Sequence, residues 1–176
     1  DPGVSAIDID GGSGAITVSG SLNQGGGGAA LDIDTGDRDI DLGGLTITNS
    51  GTSGGPVLSI ANAGGGSIQL GTTNISAASG GSAAVEALAS PSASLDLGNL
   101  AVASSSVSGL HLDDLNQLSG SADVDTTGAA GIDIANVSSG SSAVTFGDVD
   151  VNNGAGAGVT FTDAAGNYGF DALNIT

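Results

Sequence analysis

Cysteine is missing from this sequence and basic residues are nearly so, and these two gaps exclude more than most motifs would. With no Cys in 176 residues, the chain has neither a disulfide framework nor a thiolate metal site. Arg38 is the single Lys or Arg against 19 Asp and Glu, for a formal charge of −18. Such a chain cannot neutralise a row of phosphates, which argues against nucleic acid as a partner. It is equally unsuited to anionic membrane surfaces and polyanionic substrates, and cations are its natural partners. Aromatics are scarce, with three Phe and one Tyr. No apolar run approaches the length of a membrane span, so membrane insertion of this segment is not expected. Asp1-Pro2-Gly3 does not open a signal peptide, so any export signal is expected outside the segment.

What the chain has instead is glycine, 33 residues of it, together with Ser and Thr. That composition alone would suit a disordered linker. The mean hydropathy of +0.25 and the regular placing of Ile, Val and Leu at alternate positions point to a folded chain, long enough for one domain with a sizeable core.

An eight-residue phrase organises the sequence: apolar, any, apolar, two turn residues, apolar, any, apolar. It reads Ile40-Asp-Leu42-Gly-Gly-Leu45-Thr-Ile47, Ile68-Gln-Leu70-Gly-Thr-Thr73-Asn-Ile75 and Leu95-Asp-Leu97-Gly-Asn-Leu100-Ala-Val102. It returns as Val144-Thr-Phe146-Gly-Asp-Val149-Asp-Val151 and Tyr168-Gly-Phe170-Asp-Ala-Leu173-Asn-Ile175. The corner opens with Gly43, Gly71, Gly98 or Gly147 in all but the last copy, as suits a sharp bend or a positive φ. A third alternation recurs after Gly/Ser runs, at Ile7/Ile9, Leu31/Ile33, Leu58/Ile60, Val85/Ala87, Leu110/Leu112, Ile132/Ile134 and Val159/Phe161. Its spacing averages roughly 25 residues, in the range of repeat architectures.

Three short strands per repeat, with no helical pattern, predict an all-β parallel β-helix of about seven coils, a single solenoid over residues 1–176. Equivalent strands would pair in parallel at about 4.8 Å, giving a rod roughly 35 Å long. Leu42, Leu70, Leu97, Phe146 and Phe170 are expected to form one interior stack, with the aromatics filling a wider cross-section near the C-terminal end. The fit is uneven. Leu22 reads one position out of step, Asp113–Leu118 reads as a shortened or reshaped corner, and Ser104–Ser108 and Gly25–Gly28 read as turn linkers.

The phrase, with its Gly corner and Gly/Ser/Asn/Asp connections, resembles the right-handed parallel β-helix repeats of large bacterial surface and secreted proteins, autotransporter passengers and giant adhesins in style. The resemblance covers nearly the whole chain but is one of spacing and composition, without a catalytic signature. It implies an extracellular, elongated, adhesive or structural rod, with a cell-surface glycan or protein receptor as a conceivable target. Right-handedness comes with the resemblance and with the chirality of crossover connections.

Aligning the rungs puts outward residues into columns. Asp8 falls over Asp32, then Ser59, Glu86, His111, Asp133 and Thr160; Asp10 falls over Asp34 and Ala61. A second alignment joins Asp123 with Asp150, and Asp125 with Asn152. Like charges on neighbouring strands are unfavourable, so Asp8, Asp10, Asp32, Asp34, Asp123 and Asp150 are the candidate ligands for a metal, calcium being the chemically suited ion. The competing reading is a solvated acidic face. The Gly-Gly-x-Gly-x-Asp nonapeptide of calcium β-rolls is not repeated here.

An enzymatic reading rests on His111 beside Asp113 and Asp114 as an acid–base group, since polysaccharide lyases and hydrolases share the β-helix. The Asn-Thr-Asp, Gly-His-Gly and Arg-Ile-Lys motifs of polygalacturonases are missing. Arg38, the sole basic candidate, sits among Asp37, Asp39 and Asp41 and reads as an ion-paired surface residue. Fold alone does not justify catalysis. Thr46, Thr48, Thr72 and Thr73 are too scattered for an ice-binding ladder, and the Asn-x-Ser/Thr triplets at Asn74, Asn136 and Asn174 fit chance in so Ser/Thr-rich a chain.

The segment starts in a turn and stops on the last strand of a phrase, without a capping helix or polar terminal rung. Repeat rods need caps, so self-association is expected, either within a longer array or end to end. The function expected is a non-catalytic structural or adhesive rod outside the cell. A calcium-dependent surface binding module is the alternative, and a lyase or hydrolase a more distant one.

Overall fold

The computed structural model describes residues 5–51, 54–76, 78, 79, 83–103, 105–127, 130–152 and 158–176. Asp1–Gly3, and Ser104 of the expected Ser104–Ser108 linker, lie outside them. Among the described residues every regular element is a strand, and every strand pairing is parallel.

The first level of the coil holds β1 (Ile7–Asp10), β2 (Ile16–Thr17) and β3 (Gly20–Gln24). The second holds β4 (Leu31–Asp37), β5 (Ile40–Asp41) and β6 (Leu45–Asn49). The third holds β7 (Leu58–Gly65), β8 (Ser67–Gln69) and β9 (Thr72–Ile75). Higher up the corners straighten into continuous strands. The fourth level is β10 (Ala83–Leu88) and β11 (Ser90–Val102), and the fifth is β12 alone (Ser108–Thr126). The sixth is β13 (Ile132–Val137) and β14 (Ala143–Val151), and the last is β15 (Val159–Thr162) and β16 (Asn167–Ile175). These levels, linked by about six turns of the chain, form a three-sided β-solenoid about 30 Å tall at the usual inter-strand spacing.

Each strand is too short to stand alone, and its backbone groups are satisfied by the levels above and below. The first side runs in unbroken register. Ile7 pairs with Leu31, Leu31 with Leu58, Leu58 with Val85, Val85 with Leu110, Leu110 with Ile132 and Ile132 with Val159. The alternating apolar side chains meet inside as one continuous core from Ile9 to Val151.

The expected interior stack is corrected in one respect. Leu42, Leu70 and Leu97 are buried in one file, but Phe146 and Phe170 belong to the neighbouring one. Ala122 pairs with Leu100 below and Phe146 above, and Phe146 with Phe170. The cause lies in the fifth level, whose corner is one residue shorter, so that Asp96 and Asn99 pair with Ser119 and Ser121. Gly120 there (φ +108) backs onto the Asp96–Gly98 backbone, where a Cβ would come within 2.9 Å of the Leu97 nitrogen. Two further alignments shift. Leu22 is in step, paired with Ile47, and Ile47 pairs with Thr73 instead of Ile75. The wide cross-section near the C-terminal end is aromatic as expected, with Phe146 and Phe170 stacked at 4.9 Å between ring centroids.

Asp113–Leu118 is the shortened corner that the sequence suggests: Leu115 and Gln117 pair with Ser90 and Ser94, two residues fewer than in the level below. The chain passes through it inside β12, turning at Asp114 with φ 61. This is one member of a regular file of left-handed corners at Gly11, Asn62, Ala89, Asp114, Asn136 and Asp163, each two residues after the second inward apolar residue of the first side. Gly, Asn and Asp tolerate that conformation best.

Candidate functional site

The first side carries the longest array of ionisable groups. Its outward file is Asp8, Asp32, Ser59, Glu86, His111, Asp133 and Thr160, each paired with the next, as the alternation predicts. Asp10 pairs with Asp34, and Asp34 with Ala61. The four N-terminal carboxylates therefore stand two by two on adjacent strands. They do not form an open cage. Asp34 Oδ1 accepts a hydrogen bond from Asn62 Nδ2 at 3.1 Å, and Asp32 Oδ2 a long one from Ser5 Oγ at 3.4 Å. Among the described residues no group of three or more acidic, His or Cys side chains is arranged to hold a metal ion. Calcium's six to eight oxygens would need donors beyond these pairs.

The second acidic patch forms with altered partners. Asp150 pairs with Asp125, and not with Asp123, because a bulge between Ala122 and Val124 displaces the register. Asp123 instead folds over the Gly147 corner. Its Oδ1 accepts the Asp148 backbone N–H at 2.9 Å, and a Cβ on Gly147 would collide with that same oxygen. Asp123, Asp125, Asp148 and Asp150 line one shallow groove whose floor includes Ala101 and Val102.

His111 does not face Asp113 or Asp114. Its Nε2 lies 3.8 Å from Asp133 Oδ2, on the level above, and both side chains are about a third exposed (31% and 38%). Asp113 is held by Asn136 Nδ2, which donates to Asp113 Oδ1 at 2.8 Å, and Asp114 is the left-handed corner. The three groups are thus placed by strand alternation and corner geometry, and the His–Asp–Asp cluster read from the sequence does not assemble.

Arg38 also departs from expectation. The His111–Asp133 contact is the one ion pair within 4.0 Å among the described residues, and Arg38 is not ion-paired. Its guanidinium lies against the backbone at Gly12, where a Cβ would overlap Nη2, and its Nε is buried without a hydrogen-bond partner. The neighbouring Asp39 binds elsewhere. Its Oδ1 accepts both the backbone N–H and the hydroxyl of Ser67 at 2.9 Å, and these two bonds, the backbone one first, hold its carboxyl below the ordinary value.

One surface was not legible from the sequence. On the third side Ser21, Thr46, Thr72 and Asn99 form one outward file, and Asn23, Thr48, Asn74 and Ala101 the next. This neutral hydroxyl and amide face emerges only once Ile47 is paired with Thr73, two residues from the alignment the phrase suggests. It is a mixed ladder, not a repeated Thr-x-Thr.

No family model, no curated protein and no solved structure matches the chain.

Proposed function

We propose that the protein is a non-catalytic structural rod, displayed outside the cell, where it carries or constitutes an adhesive or coat-forming surface. The observation that supports this reading best is the unbroken core. The inward side chains stack as one continuous column through every turn, and the outward ones are small, polar or acidic. A chain built this way gains length and stiffness from each added turn. Its acidic sides favour solubility and oppose lateral clumping. The resemblance to β-helix repeats of bacterial surface proteins supports the extracellular setting and a glycan or protein receptor as the adhesive target.

A second reading is favoured by the Asp8–Asp32 and Asp10–Asp34 register pairs. It makes the rod a calcium-dependent binding module, the cation relieving repulsion between neighbouring carboxylates. Thermal unfolding in calcium and in chelator separates the two. The structural reading expects Tm to agree within about 2 °C, below the shift that a 1 kcal/mol ligand contribution gives a domain of this size. A rise of ten degrees or more in calcium would overturn it in favour of the calcium module.

A further inference from the structure

We infer that the third side is a track for a neutral, hydroxyl-rich polysaccharide lying along the rod axis, held by the outward file Ser21, Thr46, Thr72, Asn99, Ser121 and Thr145. This rests on the adhesive reading above, and names its surface and the class of its ligand. The file pairs in register from the first level to the sixth, a length of roughly 24 Å at the usual inter-strand spacing. None of its residues is charged, although the chain carries a formal charge of −18. The outward files of the other two sides do carry carboxylates, Asp32, Glu86 and Asp133 on the first and Asp41 and Asp96 on the second.

The polar atoms of this side are also uncommitted. Elsewhere outward polar groups serve the fold, as where Asp39 binds Ser67, Asp34 binds Asn62 and Asp113 binds Asn136. Among the described residues, the side chains of Thr46, Thr72 and Thr145, and those of Thr48 and Asn74 in the neighbouring file, make no hydrogen bond within the chain. Only Ser121 and Asn99 are joined, the Ser121 hydroxyl donating to Asn99 Oδ1 at 3.1 Å. A groove of about 250 Å³ follows the track past Thr72, Asn74, Asn99 and Ser121. Ala101 opens it, a small residue in register between Asn74 and Asp123.

Chemistry selects the occupant. A protein partner is anchored by aromatic, Arg or large apolar side chains, and the track presents none. Anionic chains are repelled by Asp123, Asp125, Asp148 and Asp150 in the adjoining groove. A neutral polysaccharide offers at every sugar hydroxyls that both donate and accept, as the Ser, Thr and Asn side chains do. Its repeating units meet a repeating row. Each contact is weak alone, so affinity comes from the number of units engaged together.

Affinity electrophoresis tests the track, in native gels cast with mannan, galactomannan, xyloglucan or dextran, and with polygalacturonate as the anionic control. At least one neutral polysaccharide is expected to retard the wild-type chain, equally in calcium and in chelator, and polygalacturonate to leave it unretarded. Thr46→Val/Thr72→Val keeps side-chain shape and strand preference while removing two hydroxyls, and is expected to raise the apparent Kd about tenfold. Its circular dichroism should match that of the wild type. Thr17→Val, the same change on the second side, is expected to leave retardation unchanged. No retardation by any neutral polysaccharide, retardation that requires calcium, or retardation undiminished in the double variant would each overturn the track. A double variant that sediments differently from the wild type would show a second copy covering this face, and would overturn it as well. The rod reading is judged apart, by electron microscopy: rods without retardation overturn the track alone.

Discussion

At the scale of single residues, the backbone decides more than the side chains do. Gly71 and Gly98 occupy a corner where the backbones of successive turns approach closely. A Cβ on Gly71 would run into the Leu45 carbonyl oxygen, and one on Gly98 into that of Gly71. Of the four corner glycines only Gly98 has positive φ; Gly71 is required by the approach of backbone and Gly147 by that of the Asp123 carboxylate, while a Cβ on Gly43 would meet only the side-chain ends of Asp41 and Gln69. Gly71→Ala is expected to cost about 3 kcal/mol in urea unfolding, as overpacking against rigid backbone does, while Gly140→Ala, which meets only open space, should be nearly neutral. Ala89 presents the opposite case, an exposed Ala at φ 51 in the file of left-handed corners. Ala89→Asn is expected to stabilise by about 0.5–1 kcal/mol, part of the left-handed penalty for a Cβ-bearing residue, raising Tm by about 1–4 °C.

Asp39 offers a pH test at the same scale. Its folded carboxyl is held below the ordinary value, so its contribution is fully present above the unfolded pKa and is lost as pH falls through the folded one. Carboxyl titration by NMR should place Asp39 below the ordinary aspartate value. Ser67→Ala should move it only part of the way back, because the backbone N–H, the larger cause, remains.

At the scale of the strand, the fifth level sets the tolerances of its neighbours. Ala122 lies beneath Phe146, a small residue under a large one, at the point where the corner loses a residue and the files shift. Phe146 is fully buried, and Phe146→Ala is expected to cost about 3–5 kcal/mol. Ala122→Leu should also destabilise, by about 1–3 kcal/mol, because the added volume meets the Phe146 ring. The first side was legible in the sequence because its period-2 alternation survives every turn and no insertion falls inside a strand. The third side was misread by two residues at Ile47 and Thr73, and again by two at Asp123 and Asp150. There the phrase has the same spacing of apolar residues in each copy, but the corner before it takes up the chain differently: a tight turn with Leu45 N–H on the Leu42 carbonyl in the second level, a bulge in the sixth. A pattern of apolar positions fixes which residues point inward, not which inward residue sits above which.

The left-handed file carried a sequence signal that went unused. Asn62, Asp114, Asn136 and Asp163 all fall two residues after an inward apolar residue, and reading Asn or Asp at that offset as a corner would have placed Asp114 in the pattern. The candidate site was legible only as pairs. Which carboxylates face one another follows from register, but Asn62 reaching back to Asp34 and Asn136 to Asp113 depends on the corner conformation. His111 was drawn toward Asp113 and Asp114 by nearness in sequence, whereas in a solenoid the true neighbours are a full turn away.

At the scale of the whole molecule, the structure is one repeated operation, the addition of a turn, around a core that runs unbroken from Ile9 to Val151. The account's central claim is that the protein makes a rod. Electron microscopy of the purified protein over a range of concentrations tests it most directly. Straight, unbranched particles one solenoid wide are the predicted result. Rounded particles or aggregates without a common width would contradict it.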